Sequence, residues 1–258
     1  MRSFLNRFLG AITGVILLCQ FAPEAQAVFL SDLIAGTPAT LSSTSAAPQP
    51  TPFYTVIGSN WSYTATGNMP AATGVNVTAT PDLVGRAGFE FQGAFHDNPG
   101  SGTSDALILY QVALSPADIR AGKVFTDVHL ESDVTVVGGS TTNNGSISIV
   151  ETVRDVNGNL LGTLTNFDIW TATGQLLKGS DTLFLDPAKQ YTVLNISKDI
   201  LASSDTGNAV PQVSHIDQSY SVPEPSSLAL ITLGASVVLG GAMRRKMLRT
   251  SNQEAMTS

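Results

Sequence analysis

Cysteine is nearly missing from this 258-residue chain: Cys19 is the only one. It lies in an N-terminal apolar stretch, so the remainder of the chain can form no disulfide, thiol nucleophile or thiolate metal site. Histidine is also scarce. His96, His129 and His215 stand far apart, and none has a second histidine at ligand spacing. Aromatic residues make up only 7% of the chain, which is little for a surface built to stack on sugars. No Gly-x-Ser-x-Gly elbow, phosphate loop or dinucleotide fingerprint occurs. No long 3.6-residue periodicity appears between the two ends of the chain.

Positive charge is depleted where it would matter for nucleic acid. Six of the 13 basic residues lie near the termini: Arg2, Arg7, Arg244, Arg245, Lys246 and Arg249. The body between them keeps seven basic and seventeen acidic residues, a net charge near −10. Such a surface repels nucleic acid and anionic lipid. No nucleic-acid partner is expected, and no cofactor.

What the chain does have begins at its ends. Residues 1–27 have the build of a secretory signal peptide. Arg2 and Arg7 open it, residues 8–21 are apolar, and Pro23 and Glu24 end the run. Ala25 and Ala27 form a small-x-small cleavage site, so the mature chain is expected to start at Val28. A lipoprotein reading fails at Leu18, which precedes Cys19 where a small residue is needed.

The carboxyl end has three parts. Val222, Pro223, Glu224 and Pro225 form a stiff, extended segment, because each proline fixes its own φ and restricts its predecessor. Residues 228–243 are almost wholly apolar, with only Thr232 and Ser236 interrupting. Arg244, Arg245 and Lys246 follow. Sixteen residues of helix span ~24 Å, short against a bilayer core of ~30 Å. Gly234, Gly240 and Gly241 nevertheless suit a membrane helix better than a water-soluble one. The expectation is one transmembrane helix over 226–243, with 244–258 as a basic stop and polar cytoplasmic tail.

This order of parts resembles the PEP-CTERM sorting signal of Gram-negative envelope and exopolysaccharide-associated proteins. The resemblance rests on Val222 to Ser227, the apolar run and the basic cluster. It implies recognition by exosortase, a membrane-embedded enzyme like a cysteine protease, and a cut near Pro223, Glu224 and Pro225. It also implies the general secretion machinery as a partner, and the membrane through the helix.

The body, 28–213, reads at period two. Phe89, Phe91 and Phe95 share one face, with Glu90 and Gln92 on the other. Val128 and Leu130 alternate with Asp127, His129 and Glu131, and Ile147 and Ile149 alternate with Ser146 and Ser148. Residues 106–114 are apolar on both faces except Gln111 and read as a central strand. Asn157-Gly158 signals a hairpin, and Ser115-Pro116-Ala117-Asp118 a short capped helix. The predicted fold is an all-β antiparallel sandwich of jelly-roll or immunoglobulin-like style. Residues 37–52 read as a linker or irregular loop, and 214–225 as an exposed tether. The body also resembles, more loosely, a recurrent secreted β-rich domain found upstream of this signal. Its pieces are residues 31–36, 63–67, 88–93 and 104–110, and they imply architecture without chemistry.

Candidate chemistry is thin. His96-Asp97 precedes a Gly-rich loop and is the one plausible acid–base pair. Asp155, Asn157 and Asn159 imitate half of a calcium loop, but the glycine comes at the fourth position and no acid closes it. Asp97 to Asp105, across a Gly-rich loop, is a weaker cation candidate. Tyr54, Trp61, Tyr63 and Trp170 could face sugar, although aromatics at strand spacing more often enter a core. No catalytic or metal residue is assigned. The sequence points to an exported envelope or matrix protein, structural or adhesive, with exopolysaccharide as a possible partner. The alternatives are a carbohydrate-binding module and a secreted hydrolase using His96 and Asp97.

Overall fold

The computed structural model describes residues 26–38, 40–46, 53–205 and 207–222. They form two antiparallel seven-stranded sheets packed face to face. The first sheet holds β1 (Gln26–Phe29), β4 (Asn76–Pro81), β5 (Ala87–His96), β14 (Val210–Ser221), β7 (Asp127–Ser132) and β12 (Ser180–Phe184) in that order, with β8 (Thr135–Val137) pairing β14. The second runs β11 (Gly174–Lys178), β10 (Leu160–Thr171), β9 (Gly145–Arg154), β13 (Val193–Ser204), β6 (Gly102–Leu114), β3 (Thr55–Thr66) and β2 (Leu41–Thr44). Two helices of five residues each, α1 (Leu30–Ile34) and α2 (Pro116–Arg120), sit at the ends of strands.

The alternating residues meet between the sheets. Phe89, Phe91 and Phe95 of β5 point inward and are buried. Opposite them, Trp61 of β3 stacks on Tyr110 of β6, with ring centroids 4.6 Å apart and planes 12° from parallel. Phe89 meets Trp61 edge-on at 5.7 Å, a favoured aromatic geometry. β6 lies between β13 and β3, as its two apolar faces suggest. Asn157 and Gly158 turn the chain between β9 and β10, with Gly158 at φ +83°. Ser115 caps α2 by accepting from the Asp118 N–H, as the sequence indicates.

Two expectations about looser segments need correction. Residues 214–221 are no tether. They complete β14, which is hydrogen-bonded to β5 on one side and to β7 and β8 on the other. The reason for the misreading is a β-bulge between Val213 and His215. Before it Pro211 and Val213 face inward; after it Ile216, Gln218 and Tyr220 do. A bulge flips the side-chain parity, so a strict alternation scan sees only a polar stretch. The body therefore runs to Ser221, not 213. The 37–52 segment likewise contains β2, an edge strand that buries Leu41 and uses Ser43 Oγ to accept from the Gly88 N–H.

A second bulge explains Trp61. β3 shifts register between Ser59 and Ser62, with Asn60 in the left-handed region at φ +56°. Inward positions change from Val56 and Gly58 to Trp61, whose ring then folds back over Gly58. A Cβ at Gly58 would lie 2.5 Å from the ring, so this close approach requires glycine.

Candidate functional site

The sorting segment emerges directly from the centre of a sheet. Ser221 ends β14, and its carbonyl accepts from the Thr126 N–H at 3.0 Å. Val222 is half-buried against the core. Pro223, Glu224, Pro225, the expected transmembrane helix 226–243 and Arg244, Arg245 and Lys246 lie outside the described residues. At the other end Ala25 is also outside them, while Ala27 pairs with Thr78 in β1. Among the described residues, no helix is long and apolar enough to cross a membrane.

The residues that sequence reasoning singled out for chemistry are engaged in holding the fold. Asp97 is fully buried at the end of β5. Its Oδ1 accepts from Ser101 Oγ (2.8 Å), Ser104 Oγ (2.7 Å) and Asn68 Nδ2 (3.2 Å), and its Oδ2 from the Ser204 N–H (3.0 Å). Burial pushes its pKa up, but these four donors outweigh burial and hold it below the usual carboxylate range. The His96 ring turns away and contacts the Ala94 carbonyl through Nδ1 at 2.9 Å. His96 and Asp97 therefore form no acid–base dyad. The carboxylate instead fastens the first sheet to β6 and β13 of the second.

Asp155 closes its own turn. Oδ1 accepts from the N–H groups of Asn157 and Asn159, and Oδ2 from Asn159 Nδ2, each at 2.8 Å. A hairpin accounts for all three residues of the calcium-like pattern. Tyr54 and Trp61 are core residues. The Tyr63 hydroxyl donates to the Pro70 carbonyl at 2.6 Å, and Trp170 packs over Gly139. The four candidate aromatics do not form one exposed platform.

One polar cluster escaped the sequence. On the outer face of the first sheet, His215 of β14 contacts Glu90 of β5 through Nδ1 (3.1 Å) and Asp217 through Nε2 (2.8 Å). The only local signal is the spacing of His215 and Asp217; Glu90 arrives from the neighbouring strand. Asp217 also stands in register with Glu90 on one side and Glu131 on the other. Burial lowers the His215 pKa, but Asp217, Glu90 and Asp133 raise it further, so the imidazole is raised overall. Metal binding needs a neutral imidazole. Here both ring nitrogens face carboxylates, so a protonated imidazole is paired on both sides, and the three side chains each bring a ligand atom within 4.8 Å of the others.

A shallow depression of about 380 Å³ marks the outer face of the second sheet. Asn60, Gln111, Asn195 and Arg154 line it together with Leu109. Gln111 Nε2 donates to Asn195 Oδ1 at 3.1 Å, and Asn195 Nδ2 to the Asp155 carbonyl at 2.8 Å. Beyond the β9–β10 turn a larger cleft of about 590 Å³ runs between Asn157 and Tyr191, with Lys189 on its rim.

Comparisons with known proteins bear on both ends of this description. Among curated proteins, no sequence matches the chain. Loose structural likenesses exist to the carbohydrate-binding module TmCBM61, solved with β-1,4-galactotriose (10% identity, 63% of this chain and 90% of that one, TM-score 0.31). Others are TmCBM27, solved for mannan recognition (8%, 63% and 90%, 0.28), and a DUF4465 family protein from Bacteroides caccae (10%, 70% and 100%, 0.25). The PEP-CTERM protein-sorting motif matches residues 221–246. The chain thus carries a PEP-CTERM sorting motif, which implies an exported, envelope-associated protein, joined to a strand-rich body.

Proposed function

We propose that this is a cell-envelope or extracellular-matrix protein whose sandwich is displayed outside the cell in a structural or adhesive role. The sorting motif at 221–246, set directly against β14, carries the reading. Residues 1–27 would direct export, with cleavage after Ala27. Residues 226–243 would enter the bilayer, and Arg244, Arg245 and Lys246 would stay on the cytoplasmic side. Exosortase would act at Val222, Pro223, Glu224 and Pro225. From Val222 to Pro225 the extended chain reaches only ~13 Å, so the enzyme must work close to the folded body. Any pull on the tail enters a strand flanked on both sides, which suits a load-bearing or adhesive module.

The test is fractionation of cells that possess exosortase, expressing the wild type and Glu224→Ala. The reading expects the wild-type body in the outer envelope or medium and the variant retained with its tail. Wild-type protein left in the cytoplasm would overturn it.

A second reading, binding of matrix polysaccharide, is favoured by the depression lined by Gln111, Asn195 and Arg154 beside the Tyr191 cleft. Planar amides, a guanidinium and an aromatic ring are side chains that recognise sugar hydroxyls and faces. Glycan-array binding lost on Asn195→Ala or Tyr191→Ala, with the fold intact, would support it. An unchanged array would refute it.

A further inference from the structure

The core between the sheets holds a charged group that the sorting reading does not use. Lys198 of β13 and Glu151 of β9 are both fully buried and bonded to each other. Lys198 Nζ also donates to Gln218 Oε1 at 2.8 Å. Gln218 belongs to β14, in the opposite sheet. Its amide nitrogen is held in turn by the His129 carbonyl at 3.1 Å. The amide also lies within reach of the Glu151 carboxylate, whose Oε1 has no well-formed hydrogen bond of its own. The ring of Phe91 lies 5.8 Å from Nζ, and the hydroxyls of Tyr110 and Tyr220 bond each other nearby at 2.9 Å.

An amine, a carboxamide and a carboxyl group thus meet in an apolar, water-excluded space. We propose that Lys198 and Gln218 are the partners of an intramolecular isopeptide bond, formed with Glu151 as proton carrier. Lys198 Nζ, as the free amine, attacks Gln218 Cδ and forms the new C–N bond. Glu151, starting as the acid, gives its proton to Nε2 and accepts one from Nζ. The Cδ–Nε2 bond breaks and ammonia leaves, while Glu151 ends protonated as it began. No oxidant or other reactant is consumed. The four roles required are nucleophile, electrophile, proton carrier and an anchor for the leaving nitrogen, and Lys198, Gln218, Glu151 and the His129 carbonyl fill them.

The protonation states suit the step. Burial lowers the Lys198 pKa and Glu151 only partly restores it, whereas burial raises that of Glu151 against the pull of Lys198. Both shifts move the pair from ions toward amine and acid, the forms that the attack needs. An ion pair so deeply buried is also a poor source of stability compared with apolar packing. A covalent tie gives it a purpose in a mature chain without disulfides. The link would join the two sheets through positions 20 residues apart in sequence.

Tryptic mapping of the folded protein, purified from the exported fraction, is decisive. An unlinked chain yields a peptide from Gln190 to Lys198. The linked chain resists cleavage after Lys198, and the peptide that runs on through Gln218 is lighter by one ammonia. Tandem fragmentation should place that loss within the loop from Lys198 to Gln218, apart from any cyclisation of Gln190. Glu151→Gln should restore the cleavable peptide and the ordinary mass. Stoichiometric recovery of the unlinked Gln190 to Lys198 peptide from folded wild-type protein would overturn the proposal. Loss of one water, which would put the link on Glu151, would overturn it too.

Discussion

Replacing Asp97 separates a structural carboxylate from a catalytic one. Asp97 is fully buried and accepts from four donors on three segments. Hydrogen bonds to a charged group are each worth ~1.5–3 kcal/mol net. They do not add in Asp97→Ala, because two of the donors have other bonds to fall back on. Ser101 Oγ also donates to the Asn98 carbonyl at 2.6 Å, and Asn68 Nδ2 also donates to Ser101 Oγ at 2.6 Å. The Ser204 N–H and the Ser104 O–H are left stranded in the interior. The expected loss for Asp97→Ala is therefore about 3–5 kcal/mol. Asp97→Asn keeps one oxygen but turns an NH2 toward a donor, for about 2–3 kcal/mol. Urea unfolding followed by tryptophan fluorescence reads both losses, since Trp61 sits in the core. The pH dependence adds a signature. The folded pKa lies below the unfolded one, so the stabilisation is present above the usual carboxylate range, about pH 4. It fades as pH falls through the folded pKa, and Asp97→Asn should lack that acid-side loss. Wild-type midpoints in both variants would refute the structural role and reopen His96 and Asp97 as chemistry.

Three other perturbations follow from the same geometry. Gly58→Ala places a methyl 2.5 Å from the Trp61 ring and should cost about 1–3 kcal/mol, read as a lowered Tm with blunted near-UV circular dichroism; an unchanged Tm would contradict the folded-back ring. Asp118 accepts from the Thr55 N–H (2.9 Å), Ser115 Oγ (2.5 Å) and Lys123 Nζ (2.8 Å), so Asp118→Ala should lower stability by about 2–4 kcal/mol in urea unfolding, with Ser115→Ala costing less. Burial, and then the hydrogen bond and charge of Asp105, push Asp199 up to about 6. Its contribution is complete below the unfolded pKa near 4 and is lost as pH rises through 6. Asp199→Asn should therefore stabilise the protein at pH 8 by about 1 kcal/mol, allowing for solvent exposure, and the gain should vanish at pH 4.

The regular parts of this fold were legible because alternation reports a face directly. Phe89, Phe91, Ile147 and Ile149 announce their strands, and Asn157-Gly158 announces a turn that side-chain size alone could not. Legibility failed where the backbone breaks its own period. The bulge at Ser214 and His215 hid the second half of β14, and β2 was too short and too rich in serine to stand out. The buried polar group was half visible. Lys198 occupies an inward position between Ile196 and Ile200, a conflict between residue and place. Its partners come from β9 and β14, so only the assembled sheets explain it. His215 and Glu90 meet across strands far apart in sequence, which no local pattern records.

Because Ser221 belongs to a doubly flanked strand and Val222 packs on the core, the body can release its tail only just beyond β14. The C-terminal residue of the exported protein, identified by top-down mass spectrometry, tests this most directly. Sorting through the motif predicts a single new terminus between Val222 and Ser227 in cells with exosortase, and none in cells without it. A terminus upstream of Ser221, or an uncut chain in both, would contradict it.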